Sequence, residues 1–257
     1  MKAVILCGGM GTRLREHTEF RPKPMVEVGG IPLLVHILRS YAKHGIDEFV
    51  LCLGYKGEQI KRYFLDYEAM QSDFTVELGK PNALTFHDRR DTAPSWKVTL
   101  AETGASAMTG ARLRKAARYL DGQTFALTYG DGVSDVDLGR ALAFHRGHGG
   151  KATMTGVRPP SRFGEIEHDG GRVRVFNEKP NVGTGLINGG FFFFEPSFLD
   201  YLDTSDDCIL EKQPLERCVA DGALHVFEHD GFWQCMDTYR DWEHLEALWN
   251  SGKAPWR

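Results

Sequence analysis

Lys2-Ala3-Val4-Ile5-Leu6 runs directly into Cys7-Gly8-Gly9-Met10-Gly11-Thr12-Arg13-Leu14, and this stretch decides the fold. Lys2–Leu6 reads as a short, buried first strand. The glycines behind it form a loop at the strand's carboxyl end. Lacking a Cβ, they let backbone N–H groups come close to a phosphate. The loop is not a Walker loop, because no Gly-Lys-Ser/Thr follows. It is not the dinucleotide fingerprint either, because Leu14 stands where the third glycine belongs, so a nicotinamide dehydrogenase lacks its pattern here. A plain tight turn explains the glycines alone. Arg13 in the loop and Lys23 ten residues on, in Arg21-Pro22-Lys23-Pro24, point further. The flanking prolines fix φ, so Lys23 sits on a stiff arm. A guanidinium and an ammonium so held suit a polyphosphate; the plainer reading is two solvated surface cations.

Working outward, residues 32–44 read as a helix with Leu33, Leu34, Ile37, Leu38 and Tyr41 on one face and Gly45 as its stop. Residues 49–53 form a second strand and 58–67 a second helix. That alternation favours a parallel sheet with helices on both faces. Residues 74–100 are less regular, with two or three short strands and a loop at 88–95. A basic amphipathic helix is expected over 111–120, a core strand over 125–129, a helix over 137–148 and a strand over 152–157. Asp169-Gly170-Gly171 marks a hairpin between 165–168 and 172–176. Phe191-Phe192-Phe193-Phe194 reads as a strand buried on both faces. A helix over 215–220, a strand over 224–228 and a closing helix over 238–250 complete the chain, Thr238 and Asp241 resembling a capping box. The element order points to the α/β class, and the length fits one large domain or a core with a small appended subdomain.

Composition narrows the function. The chain has 257 residues, 42% hydrophobic and 26% charged, which is ordinary for a globular protein and enough for a sizeable core. Lys+Arg 31 against Asp+Glu 35, a formal net charge of -4, argues against an electrostatic nucleic-acid binder. The five cysteines are odd in number and contain no Cys-x-x-Cys. A disulfide scaffold or zinc knuckle is not expected, and a reducing cytoplasm fits. No signal peptide is read at the start, and no apolar run approaches membrane-spanning length.

Four further stretches could carry chemistry. Asp131, in Tyr129-Gly130-Asp131-Gly132 at a strand end, suits a Mg²⁺ ligand or a turn aspartate. Asp237, in Met236-Asp237-Thr238, could be a second metal ligand or the N-cap of the last helix; spacing does not show that it meets Asp131. Lys179, in Glu178-Lys179-Pro180, could hold a second phosphate or be an exposed strand-end cation. Ile187-Asn188-Gly189-Gly190 offers an amide and open backbone to sugar hydroxyls, or forms a turn. His145 with His148, and His225 with His229, read as ordinary polar residues. No Gly-x-Ser-x-Gly elbow is present, which disfavours an α/β-hydrolase.

Together these residues resemble the sugar-1-phosphate nucleotidyltransferases. Gly8-Gly9-x-Gly11-Thr12-Arg13-Leu14 followed by Pro22-Lys23-Pro24 carries the likeness. It extends through Gly54-Tyr55-Lys56-Gly57, the Asp131 and Lys179 motifs, Ile187-Asn188-Gly189-Gly190, Met236-Asp237-Thr238 and Gly252-Lys253-Ala254-Pro255-Trp256. Thr103-Gly104 and Met108-Thr109-Gly110-Ala111-Arg112-Leu113 suggest the cytidylyl branch.

The resemblance implies a nucleotide-diphospho-sugar transferase fold, a Rossmann-like mixed, mainly parallel sheet flanked by helices with a small β-rich sugar-binding portion, and a single domain over 1–257 in which 1–135 mainly binds nucleotide and 136–257 mainly binds sugar phosphate. It implies cytidylyl transfer from CTP to α-D-glucose 1-phosphate, giving CDP-glucose and pyrophosphate for deoxysugar or O-antigen synthesis. Leu6, Gly8, Gly9, Met10, Gly11, Thr12, Arg13 and Lys23 would hold the CTP phosphates, with Arg112 and Gly130 at the cytidine end. Asp131 and Asp237 would bind Mg²⁺, Lys179 the sugar phosphate, and Asn188 and Gly189 the sugar. Arg13, Lys23 and Asp131 would be catalytic. A homo-oligomer, a hexamer in the family pattern, is also implied, with no nucleic-acid or membrane partner. Cys7, Ala111, Thr184, Leu186, Leu210 and Gln213 depart from the pattern, the last four on the sugar side. The same reaction with UTP, dTTP or another sugar, and a non-catalytic sugar-nucleotide sensor, are the alternatives.

Overall fold

The computed structural model describes residues 1–9, 11–14, 18–80, 84–87, 94–158, 165–177 and 185–257. Its main sheet has seven strands: β1 (Lys2–Leu6), β2 (Glu48–Leu53), β3 (Lys97–Glu102), β4 (Phe125–Tyr129), β5 (Ala152–Val157), β6 (Ile187–Phe194) and β7 (Leu224–His229). Their spatial order is β7-β5-β6-β4-β1-β2-β3. Only β6 runs against its neighbours; the other pairings are parallel. The mixed, mainly parallel sheet expected from the sequence is therefore present.

Helices cover both faces: α1 (Leu33–Ala42), α2 (Gly57–Leu65), α3 (Thr109–Ala116), α4 (Leu138–His148), α5 (Gln213–Ala220) and α6 (Tyr239–Asn250). The phenylalanine run divides its side chains between two cores. Phe191 and Phe193 pack in the cluster that holds Leu34, Ile37 and Leu38 of α1. Phe192 and Phe194 pack with Leu113 of α3 and Leu215 of α5. Burying such a side chain stabilises the fold by about 1.5–3 kcal/mol, which is why the run reads so clearly as a central strand.

Several boundaries differ from expectation for local reasons. Pro32 is extended and caps α1 rather than joining it. The second helix stops at Leu65, and a separate short helix, Tyr67–Gln71, follows. The basic helix begins at Thr109 and tightens into a 3₁₀ turn at Ala117–Tyr119. Thr238 and Asp241 do form a capping box at the start of α6.

The sheet direction matters for function. β1, β2, β3 and β4 are parallel, so the loops after them gather along one edge. β6 is antiparallel, so its beginning, Asn188, reaches that same edge. Open α/β sheets bind ligands at this carboxyl edge. A small ribbon adds to it: Gly132–Ser134 pairs antiparallel with Trp233–Cys235, Gly132 opposite Cys235. No described helix is long and apolar enough to cross a membrane. All five cysteines are free thiols.

Candidate active site

The ribbon between 132–134 and 233–235 explains how two distant carboxylates meet. Met236 N donates to the Asp131 carbonyl at 2.7 Å, locking the residues beside both aspartates. The Lys23 ammonium then bridges them, donating to Asp131 Oδ2 at 2.8 Å and Asp237 Oδ1 at 2.6 Å. Lys23 sits in a 3₁₀ turn between Pro22 and Pro24 and is only 8% exposed, as its stiff setting predicts. Burial alone would lower its pKa, but the Asp131 and Asp237 carboxylates outweigh burial and hold it above the ordinary value. The lysine stays charged. Arg13 reaches the same cluster, donating to Asp237 Oδ2 at 3.0 Å from an exposed position. Asp237 therefore does not cap α6; Thr238 does.

Two cavities open on either side of Asp131. One, of about 260 Å³, is walled by Leu6, Gly8, Gly9, Lys23, Arg112 and Gly130, with Met108 and Thr109 of α3 at its side. The other, of about 270 Å³, is walled by Arg13, Asn188, Gly189, Trp233 and Asp237. Tyr129 and Asp131 belong to both. A ligand with two dissimilar ends could lie across this shared wall, its charged middle beside Lys23 and the two aspartates.

Arg112 organises the first cavity through the backbone. Its guanidinium donates to the carbonyls of Gly8, Leu53, Gly104 and Ala105 and to Thr103 Oγ1, at 2.8–3.2 Å. Burial pulls its pKa below the usual guanidinium value, while these acceptors satisfy the charge. One side chain thus ties together the loops after β1, β2 and β3. It also shows why residue 8 is glycine: a Cβ there would lie 2.1 Å from the Arg112 guanidinium carbon.

The second cavity is also internally braced. Trp233 Nε1 donates to the Gly189 carbonyl at 2.7 Å, and Gly190 N donates to Asn188 Oδ1 at 2.8 Å. Tyr129 and Glu211 are hydrogen-bonded through their side chains. Gly11 and Thr12 lie in the loop beyond the first cavity, Thr12 exposed. Met10, Lys179 and Thr184 lie outside the described residues.

The structure thus brings together Leu6, Gly8, Gly9, Arg13, Lys23, Arg112, Gly130, Asp131, Asn188, Gly189 and Asp237 around two adjoining cavities. Sequence reasoning named neither Glu211, which belongs to no motif, nor the wall residue Trp233, which stands just ahead of the Asp237 motif.

Two adjoining cavities and a lysine bridged to two aspartates thus lie at the carboxyl edge of an α/β sheet. The chain belongs to the Nucleotidyl transferase family, whose pattern matches residues 2–238. Among curated proteins it is 50% identical to glucose-1-phosphate cytidylyltransferase of Salmonella typhi and to that of Salmonella typhimurium. Each match covers all of this chain and 99% of the relative. Among solved structures it resembles UDP-glucose pyrophosphorylase complexed with UDP-glucose, with TM-score 0.68 and 13% identity over 98% of both chains. That last likeness concerns the fold.

Proposed function

We propose that the chain transfers a cytidylyl group from CTP to α-D-glucose 1-phosphate, releasing pyrophosphate and forming CDP-glucose. The convergence of Lys23, Asp131 and Asp237 on the wall shared by two cavities carries this reading. The 50% identity to cytidylyltransferases along the whole chain supports the base and the sugar. The nucleoside takes the cavity beside α3 and the hexose the cavity beside Asn188.

A phosphate oxygen of the hexose 1-phosphate attacks the α-phosphorus of CTP. A new P–O bond forms as the bond to the β-phosphate bridging oxygen breaks, and pyrophosphate leaves with that electron pair. No protein nucleophile is needed, so catalysis rests on positioning and on charge. Lys23 offsets charge at the α-phosphoryl group, and Arg13 offsets it on the departing pyrophosphate. Backbone N–H groups of the glycine loop orient the phosphates, with Arg112 holding that loop in place. Lys179 is assigned to the sugar phosphate on the family resemblance alone.

The site fits a divalent cation. Asp131 and Asp237 already direct oxygens at one positive charge, and Mg²⁺ is typically held by one or two carboxylates with substrate phosphates completing its shell. When bound, Mg²⁺ supplies charge neutralisation on phosphate oxygens.

Homo-oligomerisation is part of the same reading. It is supported by the ribbon of Phe74–Val76 and Leu84–Phe86, on which Phe74, Val76 and Leu84 lie exposed. An isolated two-stranded ribbon is marginal in water. The product suits a cytoplasmic step that supplies an activated hexose to polysaccharide or deoxysugar synthesis.

The test is pyrophosphate release across CTP, UTP, dTTP, ATP and GTP, crossed with several hexose 1-phosphates. CTP with glucose 1-phosphate should lead by at least about ten-fold, a difference of about 1.4 kcal/mol in transition-state binding. A preference for UTP or dTTP defeats the base assignment. Sugar-nucleotide binding without pyrophosphate release makes the chain a sensor.

A further inference from the structure

A continuous line of hydrogen bonds joins the helix beside the nucleoside cavity to the wall of the hexose cavity. It starts at Thr109, the first residue of α3. The Thr109 hydroxyl accepts from Leu210 N at 2.9 Å and donates to Glu211 Oε2 at 2.6 Å. The other oxygen, Glu211 Oε1, accepts from the Tyr129 hydroxyl. Tyr129 Oη in turn accepts from Asn188 Nδ2 at 3.4 Å. Asn188 Oδ1 accepts from Gly190 N at 2.8 Å.

The direction of each bond follows from one residue. A carboxylate has no hydrogen to give, so both partners of Glu211 must donate. The single hydrogen of Tyr129 is thereby committed, and its oxygen can only accept from Asn188. That requirement turns the amide nitrogen of Asn188 toward Tyr129 and its oxygen toward Gly190 N, and the two contacts agree on the same flip.

Packing makes the line stiff. Gly190 has φ +80, and a Cβ there would stand 2.4 Å from a Tyr129 ring carbon. The ring therefore lies directly on the start of β6, and it cannot shift without displacing the strand that carries Asn188. Without Glu211, the Tyr129 hydroxyl could turn its hydrogen to Asn188 Oδ1. The amide would then flip and set its NH₂ against the Gly190 N–H.

We propose that Glu211 is a positioning residue for the hexose. It fixes the Asn188 amide as a donor toward a pyranose hydroxyl, and through Thr109 it ties that setting to the seat of α3 beside the nucleoside cavity. Glu211 itself lines neither cavity, so its effect passes through Tyr129 and Asn188. The inference rests on the reading that the hexose 1-phosphate occupies the cavity beside Asn188.

The experiment measures initial pyrophosphate release while CTP and glucose 1-phosphate are varied independently, with thermal melts alongside. Glu211→Gln keeps the shape but replaces one acceptor by a donor. Its KM for glucose 1-phosphate should rise about ten-fold, with KM for CTP held within about two-fold. Tyr129→Phe should show the same split. The double variant should be no worse than the more affected single, because both act through one line. Thr109→Val should raise the sugar-phosphate KM about three-fold, and it reads the same line if Glu211→Gln does not fold. Equal rises in both KM values, additive effects in the double variant, or a lowered melting temperature with unchanged KM values would overturn the proposal. A wild-type preference for another triphosphate would defeat the base assignment alone, because the sugar-phosphate split would still be read with that triphosphate.

Discussion

Replacing Lys23 by Met removes one positive charge from between two carboxylates while keeping the length of the side chain. The Asp131 and Asp237 oxygens each lie within 2.8 Å of the ammonium, so they are separated by no more than the sum of the two contacts. Two unit charges about 5 Å apart repel by roughly 3 kcal/mol at an effective dielectric of about 20. Asp131 is 35% exposed and Asp237 19%, and water screens part of that, leaving about 2 kcal/mol. For a chain of this size the melting temperature should fall by about 4–8 °C in the presence of a chelator. Millimolar Mg²⁺ should restore more of this loss in the variant than it adds to the wild type, because the ammonium that offset both carboxylates is gone while Arg13 reaches Asp237 from an exposed position. Turnover should still fall by roughly 10²–10³, since the charge at the α-phosphoryl group is gone. Thermal melts with EDTA and with Mg²⁺, beside pyrophosphate release, separate the two effects. An unchanged melting temperature in EDTA, or turnover near that of the wild type, would refute the reasoning.

Asp131→Asn should lower turnover by about 10²-fold with little change in fold, checked by pyrophosphate release and circular dichroism. Gly8→Ala should push the Arg112 guanidinium off its carbonyl acceptors; KM for CTP should rise at least about ten-fold, which corresponds to roughly 1.4 kcal/mol, while KM for glucose 1-phosphate changes less. His145 is buried against Thr153 and Glu195, and burial holds its pKa below the ordinary value despite the carboxylate; His36 and His148 are lowered too, again chiefly by burial. These histidines contribute stability that is present above the unfolded value of about 6.5 and is lost as pH falls through it toward the folded values. Melting temperature should therefore drop between about pH 7 and pH 5, and the drop should shrink in His145→Gln; a flat profile would contradict this.

Much of the architecture was readable because apolar side chains declare themselves. Lys2–Leu6, the 125–129 strand and the four phenylalanines are buried almost without exception, and the glycine loop marks the carboxyl edge. β3 was harder. Lys97-Val98-Thr99-Leu100-Ala101-Glu102 is only partly buried at the sheet edge, so it reads as one more short strand in an irregular stretch.

The residues of the candidate site could be named singly from the sequence, but not the way they meet. The meeting of Asp131 and Asp237 depends on a ribbon of two three-residue strands, too short to leave a pattern. Arg112 was expected at the cytidine end from the family resemblance alone, and its partners are mostly backbone carbonyls, which carry no sequence signal. Glu211 meets Thr109 and Tyr129, which lie 102 and 82 residues away in the chain, so no local pattern marks it.

The central claim is that Lys23, Asp131 and Asp237 surround the phosphates of one bound nucleotide with its metal. Crystals grown with CTP and Mn²⁺ test it through the anomalous signal of manganese. A peak is expected within coordination distance of the Asp131 and Asp237 carboxylates, with the α-phosphate beside the Lys23 ammonium. A peak bound elsewhere, or a nucleotide seated away from the loop after β1, would contradict it.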